Sequence, residues 1–294
     1  MDTTDGPVKG EGQAIGLWLD DETIAWPSGE GAAYRLYYAA RGGMKRTGAN
    51  VTGADGSVEL VVKGGGLTED QKRRDPYITA SYTPDGRDYT ALQPSGKIDV
   101  AEILKGQTAV MEVGADGAPI AFSSLQTARV LDFLYAAAAK RRRHGVSFDG
   151  GVPTLSLWAP TAKSVALRLY ANGDVAAYEE HPMERQSDGS WTIEGDASWA
   201  DRSYVYDVEV YIPQTSVTKE DASQQSLADT VAHNLVTDPN SVGLTTDSKR
   251  SVVLDLDDPR YQPESWRANA APAISNQAER SILEMHVRDF SATD

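Results

Sequence analysis

Four histidines, His144, His181, His233 and His286, are the only nitrogen ligands of metal-binding type in this sequence of 294 residues, and there is no cysteine. None of the four has a second histidine at the short spacing that puts two ligands on one ion, so a zinc or copper site is not expected. The missing cysteines exclude a thiol nucleophile, a thiolate metal site and a disulfide framework. No G-x-S-x-G nucleophile elbow occurs. In Gly10-Glu11-Gly12-Gln13-Ala14-Ile15-Gly16 the third glycine comes one place too late for a dinucleotide fingerprint. Gly96-Lys97 lacks the leading glycine of a phosphate loop, Ala91 standing there, and is followed by Ile98 rather than Ser or Thr. Carboxylate clusters at Asp20-Asp21-Glu22 and Asp255-Leu256-Asp257-Asp258 could hold calcium through hard oxygens, although solvated turns are the plainer reading.

Aromatic residues are the better clue to a ligand. Six Trp and thirteen Tyr can serve as flat platforms against the apolar faces of sugar rings. Trp158, in Leu157-Trp158-Ala159-Pro160, reads as packing. Trp191 and Trp199 flank a turn-rich segment and are the candidate exposed pair for carbohydrate binding.

The elements that would position these residues are mostly short strands bounded by Gly, Pro, Asn and Asp. Residues 15–19, 34–39, 58–62 and 109–113 are strand candidates, and Asp116-Gly117 supplies the positive φ of a hairpin turn before Ile120 and Phe122. The stretch 64–97, with Pro76, Pro84 and Pro94, reads as loop. One segment breaks the β pattern. Val130, Leu131, Leu134, Tyr135 and Ala138 recur at helical spacing, and the basic run 140–143 with Gly145 after it reads as the helix end, where cations complement the dipole. Period-two alternation then resumes at 155–159, 165–169, 191–193, 204–210 and 252–256, enough strands for a β-sandwich of immunoglobulin-like size. Residues 214–234 are polar and read as a surface insertion, and 269–277 as a linker before a further strand at 282–287.

Lys and Arg number 28 against 43 Asp and Glu, a net charge of −15 that repels phosphate backbones and argues against a nucleic-acid partner. No run approaches the about 18 consecutive apolar residues of a membrane span, and residues 1–7 carry no basic, apolar leader pattern.

Several of these motifs resemble a known family. Gly16-Leu17-Trp18-Leu19-Asp20, Thr23-Ile24-Ala25-Trp26-Pro27 and Tyr34-Arg35-Leu36-Tyr37-Tyr38 are similar to the start of the second N-terminal domain of bacterial pullulanases and plant limit dextrinases. Gln126 to Asp132 with Tyr135 to Ala139 resembles the helix closing that domain. Leu157 to Ala162, His181-Pro182-Met183, Asp188-Gly189-Ser190-Trp191, Tyr204 to Tyr211 and Val236 to Pro239 resemble carbohydrate-binding module family 48. Ile282 to Ser291 is similar to the first barrel strand of the debranching branch of glycoside hydrolase family 13. One departure is plain: Asp238-Pro239-Asn240-Ser241 stands where the family commonly has Asp-Pro-Tyr-Ala.

The resemblance implies a mainly β chain: a sandwich domain over 1–143, a family 48-like sandwich over 144–268, both immunoglobulin-like and joined by a short helix, then over 269–294 a linker and the first strand of a truncated (β/α)8 barrel. It implies a parent enzyme that hydrolyses α-1,6 linkages in pullulan, amylopectin and limit dextrins. Such retaining glycosidases use an Asp nucleophile and a Glu acid about 5–5.5 Å apart. Those residues lie on later barrel strands, so no catalytic residue is expected here and no cofactor is required. The implied partners are an α-glucan (starch, pullulan or a glycogen-type polysaccharide) and the catalytic barrel. The implied location is extracellular or cell-surface for a bacterial source and plastid for a plant or alga. The lone barrel strand at 282–287 is expected to be disordered or borrowed by another sheet edge.

Overall fold

A computed structural model describes residues 6–27, 29–75, 78, 89–171, 176–212, 231–269 and 271–291. The chain forms two compact units, 1–255 and 256–294.

The first part of the larger unit holds nine strands: β1 (Ala14–Trp18), β2 (Ile24–Trp26), β3 (Ala33–Ala39), β4 (Lys45–Thr47), β5 (Asn50–Thr52), β6 (Gly56–Val62), β7 (Thr90–Pro94), β8 (Gln107–Val113) and β9 (Pro119–Gln126). Seven of them run in the order β1-β2-β7-β6-β3-β8-β9 and close through parallel pairing of β1 with β9. Here the expected open sandwich is replaced by one sheet closed on itself, which leaves no free edge. Trp18, Ile24, Trp26, Leu36, Leu92 and Val110 fill the interior. The outer side of β1, β2 and β7 is buried as well, because Leu17, Ala25 and Ala91 pack with Leu67 and Ile78. Strands covered on both faces lose the in–out alternation. That is why β7, within the stretch read as loop, carries no period-two signal. The same stretch holds helix α1 (Glu69–Arg74), started by a capping box between Thr68 and Gln71. The expected hairpin forms, with Gly117 at φ 78°.

Glu112 points into the closed sheet and is fully buried. It accepts hydrogen bonds from Trp26 Nε1 at 2.7 Å and from the Gly31 amide at 2.7 Å, and the Tyr34 hydroxyl stands 3.5 Å away.

After the short helix α2 (Val100–Ile103), the predicted helix begins at Ala128 rather than Leu125, because β9 extends to Gln126. Ala128–Leu131, Asp132–Ala136 and Ala137–Ala139 join into one helix, α3, whose middle segment is π-helical. Gly145 follows with φ 82°, the left-handed conformation that glycine adopts without strain.

The second part of this unit has β10 (Gly145–Asp149), β11 (Val152–Trp158), β12 (Ser164–Tyr170), β13 (Tyr178–Pro182), β14 (Glu184–Arg185), β15 (Ser190–Glu194), β16 (Ser203–Tyr211), β17 (Val231–Val236) and β18 (Ser251–Val252). They make two sheets, β10-β11-β15-β14 and β13-β12-β16-β17, with β18 added to β16. Leu155, Leu157 and Trp191 of one sheet pack against Leu167, Leu169, Tyr204 and Tyr206 of the other. Of the insertion expected at 214–234, residues 214–230 lie outside the described residues and the rest belongs to β17. Buried Asp238 accepts from the Tyr204 hydroxyl at 2.7 Å, the Tyr206 hydroxyl at 3.1 Å and the Asn240 amide at 2.7 Å.

In the smaller unit the segment that resembles a first barrel strand, 282–287, is not borrowed by another sheet. Residues 281–286 make no strand pairing, and Val287–Ser291 is a short helix, α4. A strand exists only by hydrogen bonding to a neighbour. Among the described residues, no helix is long and apolar enough to cross a membrane.

Two outcomes follow for the first module. Glu112→Ala leaves the buried Trp26 and Gly31 N–H groups without their acceptor and should cost about 3–5 kcal/mol in urea unfolding of the whole chain. The Tyr34 hydroxyl is pushed up to about 12, by burial first and then by the Glu112 carboxylate. A tyrosine in the unfolded chain ionises near roughly pH 10, so across the interval up to the folded value the unfolded state binds fewer protons and stability falls as pH rises. Tyr34→Phe should make that alkaline fall shallower in unfolding midpoints read from pH 9 upward.

Candidate functional site

Helix α3 lies where the closed sheet meets the second module, and a cavity opens on each side of it. One, of about 480 Å³, is lined by Lys140, Arg142, His144, Trp158, Pro239 and Asn240 among others. The other, of about 470 Å³, is lined by Asp20, Gln71, Arg74, Asp75, Arg129 and Phe133 among others. Asp132, Ala136 and Lys140 line both, and Asp132 and Lys140 are exposed, so the two cavities make a shallow trough divided by a single i, i+4, i+8 stripe of the helix.

Local hydrogen bonds hold the walls. On the first-module side, Gln71 Nε2 donates to Asp20 Oδ2 at 2.8 Å and to Thr23 Oγ1 at 3.0 Å, and Arg129 forms an ion pair with Asp75. On the other side, Trp158 Nε1 donates to the Asp188 carbonyl at 3.1 Å, and Arg142 Nε donates to the Asp188 carboxylate at 2.6 Å. The His144 ring lies between Ser156 Oγ, 3.3 Å from Nδ1, and the Ala139 carbonyl, 3.2 Å from Nε2. Asn240 is set by the Asp238 turn and by Gly145, where a Cβ would stand 3.0 Å from the Asn240 Cβ and carbonyl oxygen.

Trp191 and Trp199, expected as an exposed sugar-binding pair, are core residues, 6% and 7% exposed. Trp191 packs opposite Leu157 and donates from Nε1 to the Ala159 carbonyl at 3.0 Å, and Trp199 stacks on His181 at 4.8 Å between ring centroids. The turn-rich flanks that suggested exposure are real, but the facing sheet covers both rings. Trp158, read as packing, is only half-buried and lines the trough. Phe133 and Asn240 were missed. Phe133 is an exposed aromatic on the polar side of an amphipathic helix, and Asn240 is the position that departs from the family pattern. Those are the signals that could have found them.

The trough offers carboxylate and amide acceptors, ammonium and guanidinium donors and two aromatic side chains. Among the described residues, no three His, Cys, Asp or Glu side chains converge as a metal site. A larger cavity of about 920 Å³ beside α2, lined by Asp21, Lys97 and Asp99 among others, has no aromatic residue.

Two domain families match this architecture: the Pullulanase N2 domain over residues 13–132 and carbohydrate-binding module 48 (isoamylase N-terminal domain) over residues 143–240. In both parts the chain is similar to the N-terminal region of pullulanases. Its N2 match covers the closed sheet and the start of α3, and its module 48 match covers the two-sheet part through Asn240. It is 31% identical over 285 residues to Pullulanase 1, chloroplastic, of Arabidopsis thaliana, covering 94% of this chain and 26% of that protein. It is 31% identical over 284 residues to the pullulanase of Klebsiella pneumoniae, covering 94% of this chain and 24% of that one. The solved Klebsiella pneumoniae pullulanase complexed with maltotriose superposes with a TM-score of 0.71 at 31% identity, over 87% of this chain and 22% of that chain. PulA from Klebsiella oxytoca gives 0.71 at 30% identity, with the same coverages of 87% and 22%. The chain thus spans about a quarter of the length of the curated relatives it matches.

The Arg142–Asp188 bond joins the end of α3 to the second module. Burial alone would raise the Asp188 carboxyl, but hydrogen bonds from Arg142 and Ser190 outweigh it and hold it below its ordinary value. The contribution is therefore present above the ordinary carboxylate value, about 3.9, and lost as pH falls through the lower folded value. In urea unfolding, Asp188→Asn should lower the midpoint at neutral pH, and the gap from the natural chain should close under acid conditions.

Proposed function

We propose that this region is the accessory part of a debranching enzyme that hydrolyses α-1,6-glucosidic linkages in pullulan, amylopectin and limit dextrins, and that its own surfaces brace the catalytic domain. The observation that carries the reading is the tail of the smaller unit. Ile282 is 92% exposed, Leu283 78% and Phe290 74%, and Met285 is exposed with them. Apolar side chains gathered in one segment and left in water mark a surface made to be covered. The resemblance of Ile282 to Ser291 to a first barrel strand supports a catalytic barrel as the cover, with the segment becoming a strand only once a neighbouring strand supplies its hydrogen bonds. The second module, in this reading, is the immunoglobulin-like sandwich of its family.

A second reading, direct contact with α-glucan, is favoured by the match to carbohydrate-binding module 48 and by the aromatic-lined trough. The two roles are compatible, because they fall to different residues.

The catalytic assignment has a direct check. The purified chain incubated with pullulan should release no maltotriose above the buffer control, measured by chromatography of the soluble sugars. Steady release would place catalytic carboxylates inside these residues and overturn the proposal.

A further inference from the structure

We propose that the outward face of helix α3 is a self-association surface, on which a second copy of this chain docks through its own α3 in an antiparallel, two-fold arrangement.

Exposure defines the face. Asp132, Phe133, Ala137, Lys140 and Arg141 are exposed, Phe133 at 44%, and Ala136 is half-buried among them. Phe133, Ala136, Ala137 and Lys140 follow i, i+3, i+4, i+7 spacing, so they form one stripe along the helix.

The order of residue types along this face is its own complement. An acid and an aromatic come first, Asp132 and Phe133, and two alanines stand in the middle. Two bases come last, Lys140 capping the helix and Arg141 in the turn after it. In a two-fold pair centred between Ala136 and Ala137, an antiparallel second helix sets Arg141 against Asp132, Lys140 against Phe133 and Ala137 against Ala136, each contact made twice. The alanines let two helices approach closely at the crossing point. The Lys140 stem packs on the phenyl ring and its ammonium lies over the ring face. Antiparallel axes also place the positive end of each helix dipole beside the negative end of the other. A parallel pair would set Asp132 on Asp132 and Arg141 on Arg141.

Charge favours this partner over others. Among the described residues, Asp132, Lys140 and Arg141 take no part in an ion pair, whereas Arg129 is paired with Asp75 and Arg142 with Asp188. The segment 128–143 holds five cations and one carboxylate in a chain of net charge −15, so the repulsion between two acidic copies is lowest beside α3. An anionic lipid or polyanion would meet the same bases but leave Asp132 unanswered and face the acidic body of the chain around it. The stripe stands between cavities of about 480 and 470 Å³, which can receive the long side chains of the partner's helix on either flank. A contact of one helix face falls at the small end of specific interfaces, below roughly 1,200 Å² in total, so association is weak, with Kd on the order of tens of micromolar.

The test is sedimentation equilibrium of the 294-residue chain from about 5 to 500 µM, without sugar because the contact covers Phe133. The natural chain should show a monomer–dimer equilibrium. Asp132→Arg sets two bases against each other at both ends of the pair, and Arg141→Asp sets two acids together, so each variant alone should dimerise about tenfold more weakly. Phe133→Ala should weaken association by a similar factor. Mixed in equal amounts, Asp132→Arg and Arg141→Asp chains regain both opposite-charge contacts in the heterodimer, and the mixture should associate nearly as tightly as the natural chain. Mixing does not alter how either chain folds, so this rescue separates the contact from any loss of helix stability, and thermal melts matching the natural chain show that each variant is folded. A natural chain that stays monomeric at the highest concentration overturns the proposal. So does a dimer that both charge variants leave unchanged, which assigns association to another surface such as the exposed apolar tail, and so does a mixture no tighter than either variant alone.

Discussion

Helix α3 is packed from both sides, and the arrangement of the larger unit depends on that double packing. Val130 enters the core of the closed sheet, with Leu131 and Leu134 against it. Farther along the helix Tyr135 is buried, its hydroxyl 3.4 Å from Arg185 of β14 and its ring beside Gly189. A short helix in isolation is marginal in water, so its stability comes from these contacts with both modules. The helix gains order from the junction, and the junction gains a rigid connection from the helix. Arg142 and His144 then pass from the helix end into hydrogen bonds with the second module, and Gly145 turns the chain into β10.

The same requirement, that polar groups removed from water be answered, organises each module internally. Glu112 sits within the first core and gathers Trp26, Gly31 and Tyr34 around one carboxylate. Asp238 gathers Tyr204, Tyr206 and the Asn240 amide in the second. A buried charge left unpaired would cost several kcal/mol, so these groups act as registration points as much as stabilisers. Asp238 connects core to surface: by fixing the turn that follows it, it sets where Asn240 enters the trough.

Much of this was legible in the residues, and the exceptions share a cause. Strands β3, β11, β12 and β16 alternate in residue type cleanly or nearly so, and their approximate positions follow from period two. The hairpin at Gly117 and the helix stop at Gly145 follow from backbone chemistry local to those glycines. Strand β7 was hidden because Ala91 packs outward against Leu67 while Leu92 packs inward, which erases alternation. The aromatic platform was assigned to Trp191 and Trp199 from their turn-rich flanks. Those flanks say nothing about Leu157, His181 or the sheet lying over the rings.

Taken alone, the sequence determined the mainly β composition, the order of the modules, the helix between them, and the absence of any thiol chemistry. All of these depend on residue types and on contacts within a few positions along the chain. The tertiary structure decided the closure of the first sheet through β1 and β9, the burial of Trp191 and Trp199, and the half-open placing of Trp158. Each of these depends on which distant segment supplies the opposite face or edge. Exposure of a ring and pairing of a strand are properties of two surfaces together, and local sequence specifies only one of them.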